Sequence, residues 1–121
     1  MADQVRWSCQ NGDIENLESS VSVAGFDINA FIGQRPPLHI AADYGQLDVI
    51  KFLVGKGADI NKKDKLGMTA VLAAIYENHY ECVKYLLDNG ANTNEKAPSG
   101  ETLLECAEND KLKELVKKYI K

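Results

Sequence analysis

The chain has 121 residues, of which 45% are hydrophobic and 26% are charged, and this composition excludes a disordered chain. No apolar run approaches the ~20 residues that span a bilayer, which excludes the membrane-spanning class. Its formal net charge of −4, without a basic stripe, argues against nucleic-acid binding, which depends on lysines and arginines that neutralise phosphates. Three widely spaced cysteines without a C-x-x-C pair argue against a disulfide framework and a zinc site.

The first segment, residues 1–32, is predicted to be the first of four units with a period of 33 residues. Moving back 33 positions from Gly45 and Leu47 reaches Gly12 and Ile14. The N-terminus has neither a basic n-region nor an apolar h-region, so we expect no signal peptide. Together with the unpaired cysteines, this favours a cytoplasmic localisation, with the nucleus also open to a chain of this size.

The second unit, residues 33–65, contains an apolar stripe at spacings of three and four residues, which predicts one face of a helix. The stripe consists of Leu47, Ile50, Leu53 and Val54. Gly57 follows it at the place where a left-handed C-terminal cap is expected. The small pair Ala41 and Ala42 lies upstream and predicts a shorter first helix that packs closely against its neighbours.

The third unit, residues 66–98, repeats this pattern 33 positions later. Its stripe consists of Tyr80, Val83, Leu86 and Leu87, and Gly90 takes the cap position. Thr69 is suited to capping the first helix of this unit. Asn78 occupies the turn position that Gly45 has in the second unit, and asparagine tolerates the left-handed conformation less readily than glycine.

The fourth unit, residues 99–121, opens with a capping-box sequence, T-L-L-E, that starts at Thr102. No single unit can bury its own apolar stripe, so the four units must stack. Polar, turn-rich segments that contain Gly67 and Gly100 separate the units and suit hairpin tips. The sequence therefore predicts one all-α domain over residues 1–121, a solenoid of four repeats with short β-hairpin fingers.

Two motifs resemble those of the ankyrin-repeat family. The segment R-P-P-L-H-I-A-A-D-Y-G-Q-L at 35–47 is similar to the family's T-P-L-H-x-A-A-x-x-G-H-L, with Pro36 in the threonine place. The segment at 53–61, L-V-G-K-G-A-D-I-N, is similar to its closing L-L-x-x-G-A-D-x-N. The resemblance implies a protein-binding module with two full inner repeats and two capping repeats.

The whole chain is also similar to short, four-repeat members of this family. Trp7, the N-G-D sequence at 11–13, G-Q-L at 45–47 and C-V-K at 82–84 carry this likeness. It implies that the chain binds the heterodimeric actin capping protein and keeps it off filament barbed ends. The alternative that the likeness also implies is an adaptor that binds a transcription-factor subunit.

In this family the concave face, formed by hairpin tips and the exposed sides of the first helices, binds partners. Counting from the motif places these candidate contacts there: Trp7, Asn11, Arg35, Ile40, Asp43, Tyr44, Met68, Tyr76, Glu77 and Glu101. Phe31 and Ile32 are added because apolar residues at a hairpin tip usually indicate a partner. An aromatic residue beside a carboxylate recurs in both inner repeats, which favours a basic partner.

Other interpretations of these residues stay open at this point. Tyr44 and Tyr76 can instead cover the helix stack, with the neighbouring carboxylates solvating it. Trp7 either anchors a partner or closes the open end of the core.

The two histidines have structural roles by the same resemblance. His39 stands in the T-P-L-H place between hairpin and helix, and His79 stands in the turn between two helices. No serine or cysteine has a context that pairs it with either histidine, and no His/Asp/Glu set has metal-ligand spacing. We therefore expect a monomeric, non-enzymatic protein without cofactor, metal, membrane or nucleic-acid partner.

Overall fold

The computed structural model describes residues 2–23 and 25–120. Met1 and Lys121, the ends of the predicted domain, and Ala24 lie outside this description. The described part contains eight α-helices: α1 (Ala2–Asn11), α2 (Ile14–Val21), α3 (Pro37–Asp43), α4 (Leu47–Gly55), α5 (Ala70–Tyr76), α6 (Tyr80–Asp88), α7 (Leu103–Cys106) and α8 (Asp110–Tyr119). The prediction of an all-α repeat fold is confirmed. Within the described ranges, no helix has the length and apolarity to cross a bilayer.

The helices form pairs that stack in two layers. Each odd-numbered helix packs against the next even-numbered one, as in α1 with α2 and α3 with α4. The inner layer is a continuous stack of α1, α3, α5 and α7, and the outer layer is a stack of α2, α4, α6 and α8. Within each layer the main contacts of the described helices join successive units, which is the architecture of a solenoid.

The apolar stripes lie in the core, as their spacing predicts. Ile50 and Leu53 of α4 and Leu86 of α6 are fully buried. The inner helices α3 and α5 are buried along almost their whole length, because each packs against three other helices. Their alanines, such as Ala41 and Ala74, are completely covered and allow neighbouring helix backbones to approach closely.

A single left-handed residue joins the two helices of each inner unit. Gly45 has a φ of +71°, and Asn78, at the equivalent turn of the third unit, has a φ of +61°. A Cβ atom at Gly45 would lie 2.6 Å from Nδ1 of His79, so this position also requires the absence of a side chain. Asn78 adopts the same conformation at a conformational cost, because a side chain disfavours the left-handed region.

Short fingers connect successive helical pairs. Each finger is numbered after the unit whose inner helix it precedes. In the second finger, residues 31–35, the backbone N–H of Ile32 donates to the carbonyl of Arg35 at 2.9 Å, and these two residues form an isolated antiparallel bridge. In the third finger, residues 64–68, the N–H of Asp64 donates to the carbonyl of Met68, also at 2.9 Å. The fourth finger, residues 96–102, precedes α7. The fingers therefore fold back tightly and place their tips beside the inner helices.

The inner helices of the last three units have their N-cap residues at equivalent positions, Pro36, Thr69 and Thr102. The predicted capping box at Thr102 is present: its Oγ1 accepts from the N–H of Glu105 at 3.2 Å, and the Glu105 carboxylate accepts from the N–H of Thr102 at 2.9 Å. The cap predicted for Thr69 differs, because its side chain makes no capping hydrogen bond. Its hydroxyl is buried without a partner within the described residues.

A candidate protein-binding face

A groove lies between the third finger and the C-terminal ends of α3 and α5. Its lining residues are Arg35, Asp43, Asp64, Leu66, Met68, Ala73, Tyr76 and Glu77. The groove therefore brings together five of the predicted contacts, which come from two successive repeats. It combines apolar side chains with three carboxylates and one guanidinium, a composition that suits a protein surface with both basic and apolar groups.

One carboxylate organises the turn of the third finger. Oδ1 of Asp64 accepts from the backbone N–H groups of both Leu66 and Met68, each at 2.9 Å. The N–H of Lys65 donates to the carbonyl of Gln34 at 3.0 Å and joins this finger to the preceding one. As a result Leu66 is held at the finger tip with 68% of its surface exposed. A large apolar side chain fixed in this way is suited to anchor a partner.

His39 ties the third finger to the helix stack. Its ring is completely buried, and Nε2 lies 2.9 Å from the carbonyl oxygen of Met68. Because a carbonyl only accepts hydrogen bonds, Nε2 carries the proton, and the neutral ring leaves Nδ1 unprotonated. Nδ1 has no partner within the described residues. Burial accordingly lowers the pKa of His39 below its usual 6.5, although the hydrogen bond to Met68 opposes this.

His79 fixes the end of α3 beside the groove. Its Nε2 lies 2.9 Å from the carbonyl oxygen of Asp43, 36 residues away in the sequence. The bond crosses from the turn of the third unit to the helix of the second. It thereby holds the backbone of Asp43, whose side chain lines the groove.

The carboxylates of the groove differ in their surroundings. Oδ2 of Asp43 forms an ion pair with Nη2 of Arg35 at 3.1 Å, and both side chains are about one-third exposed. Glu77 is exposed and has no ion-pair partner within residues 2–23 and 25–120. Oδ1 of Asp64 is bonded to the backbone of its own finger. A basic group of a partner therefore meets Glu77 without an ion pair and Asp43 already paired.

Exposed aromatic side chains extend this surface along the inner helices. Trp7 of α1 is 51% exposed, Tyr44 at the end of α3 is 48% exposed, and Tyr76 of α5 is 40% exposed. The residues one and two periods after Trp7 are Ile40 and Ala73, which are only 3% and 6% exposed. Trp7 thus presents apolar area to solvent at a position that the inner repeats bury.

The Tyr76 ring is fixed by a contact with the fourth unit. Sγ of Cys106 lies 3.5 Å from the Tyr76 hydroxyl oxygen. The hydrogen bond with Cys106 and partial burial raise the pKa of Tyr76 to about 12, so the hydroxyl stays protonated at neutral pH. Tyr76 therefore offers an amphipathic ring and an uncharged hydrogen-bonding group to a partner.

The remaining predicted contacts lie outside the groove. Asn11 is exposed on α1, where its side-chain amide donates to the carbonyl of Trp7 at 2.8 Å. Phe31 and Ile32 are half-buried, not exposed as an apolar tip predicts, and Ile32 packs against the core. Glu101 is half-buried in the fourth finger.

One predicted contact is wrong. Ile40 is 3% exposed and belongs to the hydrophobic core, so it has no surface for a partner. The positions one and two periods later, Ala73 and Cys106, are also buried apolar residues. Their equivalence could have shown from the sequence that position 40 faces inward.

The three cysteines of the chain are buried. Burial raises the pKa of the Cys9 thiol to about 12 and that of Cys82 to about 11, so neither is an activated nucleophile. Burial also raises the pKa of Cys106. In the part of the chain that the structure describes, no cluster of three His, Cys, Asp or Glu residues could hold a metal ion.

The sequence patterns did not single out Leu66 and Asp64. Leu66 is an apolar residue in a polar turn and next to Gly67, the same signal that pointed to Phe31 and Ile32. That signal could have identified it. Asp64 became recognisable only when the structure showed its two hydrogen bonds to the backbone.

Comparison with known proteins extends these observations to a family. A family model described as "Ankyrin repeats (3 copies)" matches residues 5–97 and 38–121. A probable E3 ubiquitin-protein ligase of Oryza sativa subsp. japonica is 40% identical over 67 residues, which cover 55% of this chain and 12% of that protein. Myotrophin of Xenopus tropicalis is 43% identical over 54 residues, 44% of this chain and 45% of that protein. Serine/threonine-protein kinase 12 of Arabidopsis thaliana is 32% identical over 81 residues, 66% of this chain and 17% of that protein.

The chain thus matches less than half of the length of each of these relatives. Their names indicate different activities, so they do not assign one activity to this chain. The family model, in contrast, covers almost the entire sequence, and the stacked helical pairs with their fingers agree with it. The chain therefore belongs to the ankyrin-repeat family, whose repeats bind other proteins.

Proposed function

We propose that this chain binds the heterodimeric actin capping protein and prevents it from capping filament barbed ends. Two supports are the similarity to myotrophin over 54 residues and the likeness of the motifs to short, four-repeat members of the family. The observation that carries the proposal is the groove, in which exposed Leu66 and Tyr76 lie among the carboxylates of Asp43, Asp64 and Glu77. Such a groove suits a basic, partly apolar protein surface.

The proposed mechanism is stoichiometric and requires no chemical step. A monomer of this chain covers a basic surface of one capping protein heterodimer in the cytoplasm, and the covered heterodimer no longer binds a barbed end. Apolar contacts of Leu66 and Tyr76 supply most of the affinity, because burying a leucine side chain contributes about 1.5–3 kcal/mol. The carboxylates act mainly on the association rate, which should fall as salt screens them.

A direct binding measurement tests this proposal. Purified capping protein heterodimer is titrated with the wild-type chain and with the double variant Asp43→Lys, Glu77→Lys, and binding is followed by calorimetry. The matched control is Glu15→Lys, Glu18→Lys, which makes the same charge change on the exposed side of α2. Circular dichroism verifies that all three proteins are folded.

We expect the wild-type chain and the control to bind and the groove variant to lose most of its affinity. Absence of wild-type binding at micromolar concentrations would refute the capping-protein assignment. Equal loss in both double variants would refute the groove as the site.

A further inference from the structure

Arg35 is the one cation among the described residues that line the groove. It reaches from the second finger to the end of α3, eight residues away in sequence, where its Nη2 lies 3.1 Å from Oδ2 of Asp43. Asp64 and Glu77 add two further carboxylates to the same groove. The chain therefore already supplies one guanidinium group to the carboxylates that a basic partner would use.

The geometry of this pair indicates that it can be exchanged. A guanidinium can engage both oxygens of a carboxylate through two parallel hydrogen bonds, which is its strongest arrangement. Among the described residues the guanidinium of Arg35 makes one hydrogen bond, from Nη2 to Oδ2, and its side chain is 29% exposed. An ion pair that is partly exposed contributes little net free energy. Asp43 is in contrast held in place, because its carbonyl oxygen is bonded to His79.

We propose that Arg35 is an intramolecular competitor that occupies Asp43 in the free protein and is displaced by an arginine of the bound partner. This inference rests on the proposed function and adds the chemical class of the group that enters the groove. Arg35 identifies that class, because the groove already accommodates a guanidinium at Asp43. The sequence placed Arg35 among the contacts that favour binding, whereas here it opposes binding.

The competition gives the groove a selectivity that carboxylates alone would not provide. When a partner arginine replaces Arg35, one ion pair is exchanged for another and the net gain is small. Binding then depends on an apolar side chain beside that arginine, which contacts Leu66, Met68 and Tyr76 in the same groove. Surfaces that are only basic are thereby rejected, while a surface that is basic and apolar is accepted.

The test is the affinity of Arg35→Gln for the partner. If Arg35 contacts the partner, the variant should bind more weakly than wild type, and if Arg35 competes with the partner, it should bind more tightly. If Arg35 competes, this variant should bind the capping protein heterodimer about two- to fivefold more tightly than wild type, the range that a partly exposed ion pair is worth. The control Lys118→Gln removes the same charge from the exposed surface of α8 and should change the affinity less. In the background of Asp43→Asn, Arg35→Gln should give no gain.

Equal or weaker binding of Arg35→Gln, or an equal gain in Lys118→Gln, would overturn the proposal. A second probe keeps the test independent of the capping protein. N-acetyl-arginine amide is titrated into the ¹⁵N-labelled chain, and amide shifts of Asp43, Tyr76 and Glu77 are followed. These shifts should saturate at a lower concentration in Arg35→Gln than in wild type, and identical curves would overturn the inference. If wild type does not bind the capping protein, the proposed function fails and this titration alone decides the role of Arg35.

Discussion

Replacing Thr69 with valine should stabilise the protein, although the substitution removes a hydroxyl from a helix N-cap. The Thr69 side chain is 1% exposed, and its Oγ1 has no hydrogen-bond partner within the described residues. The third residue of α5 is the buried Leu72, whose side chain offers no polar group in return. In the fourth repeat, the equivalent Thr102 has Glu105 three residues later, and the two form a capping box.

The expected magnitude follows from the difference between these two sites. A buried polar group without a partner costs about 1–3 kcal/mol, so Thr69→Val should gain on the order of 1 kcal/mol. Valine keeps the branched shape and the restricted χ1 of threonine. Thr102→Val removes a working cap and should cost about 1 kcal/mol. With an unfolding entropy of about 2.1 cal/mol/K per residue, each change shifts the Tm of this chain by roughly 4 °C, in opposite directions.

Urea unfolding followed by circular dichroism, together with thermal scans, measures both variants against wild type. The same chemical change should raise the midpoint at position 69 and lower it at position 102. If Thr69→Val is destabilised as much as Thr102→Val, the hydroxyl of Thr69 has a partner in solution, and the reasoning from its isolation is refuted.

Three further predictions concern the turn, the buried histidine and the finger tip. Asn78→Gly should raise Tm by a few degrees, because it relieves about 0.5–1 kcal/mol of strain in the left-handed conformation. The exposed hydrogen bond between Asn78 and Asn109 is lost in this variant, which reduces the gain. A lower Tm in thermal scans would contradict the prediction. The free energy of unfolding should fall as the pH decreases below about 6.5, because the folded state holds His39 neutral and the unfolded state protonates it. In thermal scans His39→Leu should lack this component of the pH dependence. A pH profile of His39→Leu identical to that of wild type would refute the role of His39. Leu66→Ser should weaken binding of the capping protein about 10- to 100-fold in the calorimetric titration, without lowering Tm. The control is Ile120→Ser, which changes an exposed apolar residue outside the groove and should bind as tightly as wild type.

Much of the fold was predictable from the sequence because it depends on local spacing. The 33-residue period, the apolar stripes and the left-handed turn positions each follow from residue types at fixed intervals. Position 78 shows this well: its equivalence to Gly45 predicts a left-handed turn, and the structure gives Asn78 a φ of +61°. The capping hydrogen bond that the sequence predicted for Thr69 is not formed, because such a bond also depends on the orientation of the side chain.

The candidate site was only partly predictable, since its energetics depend on contacts between distant residues. Asp43 and Tyr76 were found by counting from a motif, and both line the groove. The ion pair between Arg35 and Asp43 joins a finger to a helix end, which no periodic pattern reveals. Burial of Ile40 likewise depends on how neighbouring repeats cover it, although its equivalence to Ala73 carried a signal.

The central claim is tested most directly by the growth of actin filaments from seeds whose barbed ends are held by a low concentration of capping protein. Pyrene fluorescence reports elongation as increasing amounts of this chain are added, with Asp43→Lys, Glu77→Lys alongside. The account predicts that the wild-type chain restores barbed-end growth in proportion to its concentration, while the folded double variant does not. No change in growth at a large excess of wild-type chain would contradict it.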